Sequence, residues 1–169
     1  RPFYKTRYGL IQILTLFTSA GMALKDEQLA WFTKEVAAAH DGVDDPLFLI
    51  ASWHYPPYSQ DKTRDDVIAE MLVPIENSGG IDLLLTGHDY QNEVSRKSYT
   101  DGRPDLWMVQ SAIGKYSPTI GTVNPHSLFT GSTHALLLVE VTHDALVGRI
   151  VGSDGITQYR FETNKIPTE

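Results

Sequence analysis

The sequence predicts a mixed α/β fold, a parallel βαβαβ portion followed by antiparallel or mixed strands. Three observations carry this. Residues 47–52 and 81–85 are uninterrupted apolar runs, the pattern of strands buried on both faces of a parallel sheet. Helical stretches at 25–40 and 65–77 separate the strands of this first part. Beyond residue 90 the chain changes to short strands joined by tight polar turns.

Taken in order, residues 8–17 read as the first strand. Lys5 and Arg7 before this run, and the small residues after it, also give a signal-peptide outline. Gln12, Thr15 and Thr18 interrupt the run and favour the strand. The chain begins at Arg1 without an initiator Met, which reads as an internal start within a longer product. In the helix at 25–40, Asp26 and Glu27 occupy the first turn, where carboxylates suit the helix dipole. Leu29, Phe32 and Val36 make its buried stripe, and Asp41-Gly42 ends it. The helix at 65–77 should be perturbed at Pro74 and closed by Ser78-Gly79-Gly80. Residues 93–98 and 105–110 flank Asp101-Gly102, a hairpin signal. A second pair, 135–141 and 145–151, surrounds the turn at 142–144, and 157–161 is the last strand. Between the pairs, 114–131 is rich in Gly, Pro, Ser and Thr and reads as a loop long enough to be functional. With no repeat, low-complexity tract or linker, residues 1–169 read as one domain.

Composition narrows the classes. A length of 169 residues, 41% hydrophobic and 21% charged, suits one globular domain with a substantial core. The formal charge of −7 argues against non-specific nucleic-acid binding, since a phosphate backbone would be repelled overall. No run approaches the roughly 20 apolar residues of a membrane-spanning helix. Zero cysteines remove disulfides and thiolate metal sites, so any metal must be held by His, Asp, Asn, Tyr or backbone oxygen.

The chemistry concentrates where two buried runs end. Leu47-Phe-Leu-Ile-Ala-Ser-Trp-His54-Tyr-Pro-Pro and Ile81-Asp-Leu-Leu-Leu-Thr-Gly-His88-Asp-Tyr90 each stop on a histidine in a turn, one βαβ unit apart. Open α/β sheets bind ligands at the carboxyl ends of their strands. A single histidine there is more often a hydrogen-bonded structural residue. Two at equivalent strand ends suggest a metal site, because imidazole is the commonest metal ligand.

These segments, His54-Tyr-Pro-Pro-Tyr58-Ser and Asp82-Leu-Leu-Leu-Thr-Gly87-His88-Asp, resemble the last two metal-ligand motifs of calcineurin-like metallophosphoesterases, with a purple-acid-phosphatase-like flavour. The helix Lys25-Asp-Glu-Gln28-Leu-Ala-Trp31-Phe resembles the element such enzymes place between the halves of their sheet. The resemblance implies an α/β/β/α sandwich of which this chain is the C-terminal half. It implies hydrolysis of a phosphate mono- or diester at a centre of two divalent or trivalent transition-metal ions (iron, manganese or zinc), with one or none held by this chain alone. His54 and His88 would then ligate the same ion. A secreted or periplasmic location follows from the resemblance only.

Two departures qualify the match. The family's earlier motifs, Asp-x-His, Gly-Asp and Gly-Asn-His-Asp/Glu, are absent and would lie upstream of Arg1. The chain alone should therefore be inactive, expose the edge of an interrupted sheet and need an N-terminal half, from a second chain or a further segment. Secondly, Gly-His-x-His reads Gly87-His88-Asp89-Tyr90. Tyr90 is either a third metal ligand or a tyrosine packed beside a weakened site. The alternative function is thus a non-catalytic, phosphatase-like binding or assembly module with a degraded centre.

Tyr55, Tyr58 and Arg64 follow His54 and are candidates for the pocket mouth, Arg64 as a phosphate clamp or else a solvated surface residue. Lys115 and Tyr116 are weaker candidates for substrate access. His40, His126 and His143 have no recognisable partner, and His134 reads as structural. Trp31 reads as core; Trp53 is ambiguous.

Overall fold

The computed structural model describes residues 3–18, 26–60, 63–110, 124–131 and 134–165. β1 (Tyr4–Tyr8) and β2 (Ile11–Thr15) form an antiparallel hairpin. The strand expected over 8–17 is present as β2, shorter at both ends, and is preceded by an additional strand, β1. Gly9, at φ +54°, lets the chain reverse before the apolar run begins, and the polar residues 4–8 pair back along it. Helix α1 (Asp26–Ala38) buries Gln28, Phe32 and Val36, and β3 (Phe48–Ser52) follows.

The helical stretch at 65–77 divides into α2 (Asp65–Val67), a π-helical turn (Ile68–Leu72) and α3 (Val73–Asn77). Pro74 explains the division. Proline lacks an N–H and its ring crowds the carbonyl four residues back. A widened turn, in which the Val73 N–H donates to the Ile68 carbonyl, accommodates both effects.

The remaining strands are β4 (Leu83–Thr86), β5 (Asn92–Lys97), β6 (Leu106–Gln110), β7 (Ser127–Gly131), β8 (Ala135–Val141), β9 (Ala145–Gly152) and β10 (Thr157–Asn164). Both expected hairpin pairs, β5–β6 and β8–β9, are present. β7 corrects the reading of 114–131 as wholly loop: its Ser, Thr and Gly pair against β5.

Seven strands form one sheet in the order β1-β2-β3-β4-β6-β5-β7, and three form a second, β10-β9-β8. β2, β3, β4 and β6 run parallel to one another. The edge beside β2 is closed by β1, so the open edge expected of an interrupted sheet moves out by one strand. β1 is exposed along its whole length and carries Lys5, paired to Glu35 at 2.6 Å, and Arg7, on the carbonyls of Asp44 and Asp45. Charges of this kind discourage further pairing at an edge.

Alternation along the buried strands builds two cores. Leu49, Ala51, Leu84, Leu106 and Met108 face the helices with Phe32, Val36, Met71, Leu72 and Ile75. Phe48, Ile50, Leu83, Trp107 and Val109 face the second sheet with Leu146, Ile150 and Phe161. Helices, large sheet and small sheet are thus three successive layers. Trp107 stacks on Phe161 between the sheets at 4.9 Å. No described helix is long and apolar enough to cross a membrane.

Candidate metal centre

Parallel register brings His54 and His88 together. Ile50 pairs with Leu83 and Ser52 with Leu85, so β3 and β4 end level. Two main-chain bonds carry the pairing past the strand ends: the Trp53 N–H donates to Leu85 O at 3.1 Å, and the Gly87 N–H to His54 O at 2.9 Å. The result is His54 Nε2 at 3.3 Å from His88 Nδ1, with ring planes at 85°. Tyr55 packs against both imidazoles, its ring centre 4.9 Å from His54 and 4.4 Å from His88. The His54 N–H donates to Thr18 Oγ1 at 3.1 Å.

At this separation one ring can donate a hydrogen bond to the other, and the same spacing suits a shared cation. Two ligand nitrogens, each about 2.1 Å from one tetrahedral cation, lie about 3.4 Å apart. The observed 3.3 Å therefore fits two neighbouring positions on a single ion. It supplies only part of a coordination sphere. Among the described residues, no group of three or more His, Asp or Glu side chains could hold a metal ion. Tyr90 is 65% exposed, with its backbone in the left-handed region at φ +55°.

Arg64 is neither solvated nor facing outward. It is 2% exposed, and its Nη1 and Nη2 grip the Asp89 carboxylate at 3.1 and 2.5 Å. Nη1 also reaches Pro56 O at 3.3 Å, and the Arg64 N–H donates to Pro57 O at 2.9 Å. The guanidinium expected to clamp phosphate is occupied by Asp89, so it joins the turn bearing His54 to the turn bearing His88. Asp89 Oδ1 also lies 3.9 Å from His88 Nε2.

Tyr58 is half-buried against the His126 ring, at 4.5 Å. Burial, then the charges of Glu76 and Asp65, push its hydroxyl pKa up. His126 thus has a partner that sequence reading did not find. So does His40, whose Nε2 lies 3.1 Å from Gly80 O. Trp53 is 4% exposed, packs edge-on against Phe32 in the helix-side core and donates Nε1–H to Tyr55 O at 2.7 Å. Trp31 is partly buried against Phe3 at 4.9 Å. His134 is exposed before β8, its carbonyl accepting from Ser153 N–H, and His143 is exposed in the β8–β9 turn. Lys115 and Tyr116 lie outside the described residues.

Sequence reasoning overlooked Glu93. This 2% exposed carboxylate accepts from Gln60 N–H (2.9 Å), Gln91 Nε2 (2.9 Å), Ser95 Oγ (3.3 Å) and Asn124 Nδ2 (3.1 Å). Burial raises its pKa, and these donors pull it part of the way back. The available signal was the polar run Gln91-Asn92-Glu93 at the start of a strand expected to pair with 105–110.

No protein-family model matches the chain, and no curated protein sequence does. Solved structures do. The chain is similar to GAP50, the anchor in the inner membrane complex of Plasmodium, at 17% identity and TM-score 0.73, covering 99% of this chain and 54% of that one. It is similar to the purple acid phosphatase PPD1 from yellow lupin (Lupinus luteus) seeds, at 18% identity and TM-score 0.69, over 95% of this chain and 32% of that one. PhoD aligns at 12% identity and TM-score 0.64, over 96% of this chain and 40% of that one. The chain therefore spans between about a third and just over half of those proteins. Together they show that its fold is metallophosphoesterase-like.

Proposed function

We propose that this chain, built on a metallophosphoesterase-like fold, contributes His54 and His88 as two ligands of one cation in a centre that hydrolyses a phosphate mono- or diester. The remaining ligands come from an N-terminal half of the same domain, on a separate chain or a further segment. The observation that supports this most is the pair of imidazole nitrogens 3.3 Å apart at the carboxyl ends of adjacent parallel strands.

When bound, the transition-metal pair (iron, manganese or zinc) would lower the pKa of coordinated water and offset the charge building on phosphorus. With the ion bound, His54 would present Nε2 and His88 Nδ1, each neutral ring carrying its proton on its other nitrogen; without it, one of these two nitrogens donates to the other. Tyr55 holds both rings against rotation and walls one side of the site. The Tyr58 hydroxyl, protonated at neutral pH in any case and pushed further from ionisation by burial and then by Glu76 and Asp65, is a donor for a phosphoryl oxygen. An extracytoplasmic location belongs to this proposal, and fractionation of the native cell checks it.

The test is elemental analysis of the natively assembled protein, with the intact mass of every chain present. About two transition-metal ions per assembly and an N-terminal partner or segment are expected. His54→Gln and His88→Gln should each lower metal content and hydrolysis of p-nitrophenyl phosphate. Metal-free protein without such a partner would overturn the reading.

A second reading, a non-catalytic binding or assembly module, is favoured by Tyr90 in place of the second histidine and by the likeness to GAP50, itself an anchor. Tyr90→His separates the two. On a degraded site the third imidazole raises zinc affinity by about tenfold or more. A collapse of hydrolysis instead marks Tyr90 as an adapted ligand.

A further inference from the structure

His88 and Tyr90 both hold left-handed backbone, at φ +79° and +55°, on either side of Asp89. L-residues visit that region at a cost and stay there only when the surroundings over-determine them. Here the middle residue is the fixed point. The Asp89 side chain is 4% exposed, the Arg64 side chain 1%, and they meet through two parallel hydrogen bonds. Arg64 is in turn fixed to the other turn through Pro56 O and Pro57 O.

The Asp89 carboxylate lies 3.9 Å from one nitrogen of His88, Nε2, beyond hydrogen-bond length but close enough for its charge to act on that nitrogen, while the other, Nδ1, faces His54. A carboxylate favours the proton on the nitrogen nearest it and leaves the lone pair on the far side. We propose that Asp89, held by Arg64, is a positioning residue for His88: it keeps the ring proton at Nε2 and aims the Nδ1 lone pair at the cation shared with His54. Arg64 is then the brace that sets both the spacing of the imidazoles and the tautomer of one of them. The cation rests on the proposed function; the ring geometry and tautomer do not.

The experiment uses ¹⁵N-labelled, metal-free native protein at a pH where both rings are neutral, followed by titration with Zn²⁺ alone. Wild type should show His88 as the Nε2–H tautomer, ring-to-ring contacts between His54 and His88, and zinc binding that His54→Gln abolishes. Arg64→Met/Asp89→Leu replaces the ion pair by apolar groups of similar size. It should lose the ring contacts and weaken zinc binding tenfold to a hundredfold. Asp89→Asn, which removes only the charge, should shift the tautomer toward a mixture and carries the test if the double variant does not fold. Ile150→Val, a core change on the other face of the large sheet, should move none of these readouts.

A wild-type Nδ1–H tautomer, or ring contacts and zinc affinity unchanged in the variants, would overturn the brace even if the centre binds metal. Absence of zinc binding with the tautomer and its Asp89 dependence intact would overturn the proposed function and leave the brace standing.

Discussion

At the scale of single residues, the Arg64–Asp89 pair shows why a buried charge must be judged with its partner. Removing one member leaves the other charged and buried, which typically costs about 3–5 kcal/mol, whereas replacing both by well-packed apolar groups is often near neutral. Arg64→Met should therefore cost about 3 kcal/mol in urea unfolding, and Arg64→Met/Asp89→Leu less than half of that. Equal losses would mean that the pair acts through packing alone. Arg64 Nε, buried with no hydrogen-bond partner among the described residues, adds a polar cost that the double variant also removes. Gly148 shows the converse constraint. A Cβ there would lie 2.0 Å from Phe161 Cζ. Gly148→Ala should cost about 1–3 kcal/mol by overpacking, read as a lowered denaturation midpoint with an unchanged slope.

Among elements, β5 ties the turn after β3 to the chain entering β7, because Glu93 accepts from Gln60 on one side and Asn124 on the other. Its raised pKa fixes the sign of a pH effect. The folded state holds the Glu93 proton more tightly than the unfolded chain, whose value is near 4.5. That stabilisation is complete below the unfolded value and is lost as pH rises through the folded one. Glu93→Gln has no such titration, so the stability difference between wild type and variant should be largest near the acid end and shrink toward neutral pH. Urea unfolding of both proteins across that window checks it; a difference that grows with pH would contradict the assigned direction. The π-helical turn ahead of Pro74 makes a related point, since one missing N–H reshapes a whole helical element without breaking it.

For the whole molecule, the large sheet is covered on one face by helices and on the other by the small sheet, and each face has its own buried cluster. The small sheet's outer face is different. Leu136 and Leu138 on β8 are 50% and 44% exposed, beside the Arg149–Glu140 ion pair. Leu138→Lys should therefore change the stability of this chain by no more than about 0.5 kcal/mol in thermal or urea unfolding, as for other surface positions. A larger loss would show that the face is covered in the protein as measured. The net charge of −7 acts at this scale as well, disfavouring a polyanionic partner.

What the sequence alone determined follows from local physics. Residues 47–52 and 81–85 could be read as doubly buried strands because a strand in the middle of a layered sheet must be apolar at every position. Parallel neighbours ending in turns then place His54 and His88 at one edge. The break in the second helix was legible from Pro74, and the β8–β9 hairpin from alternation and its turn. The tertiary structure alone decided whatever depends on partners far along the chain. The reversal at Gly9 depends on β1 finding β2, and the strand at 127–131 on β5, since neither segment is apolar enough to announce itself. Arg64 looked like a surface or substrate-facing cation because nothing near it in sequence neutralises it; folding brings Asp89 to it across the π-containing helix and β4. Glu93 looked like an ordinary charged strand residue until Gln60 and Asn124 converged on it. Burial of a charge is decided by where its counter-charge or donors arrive, and only the folded chain specifies that.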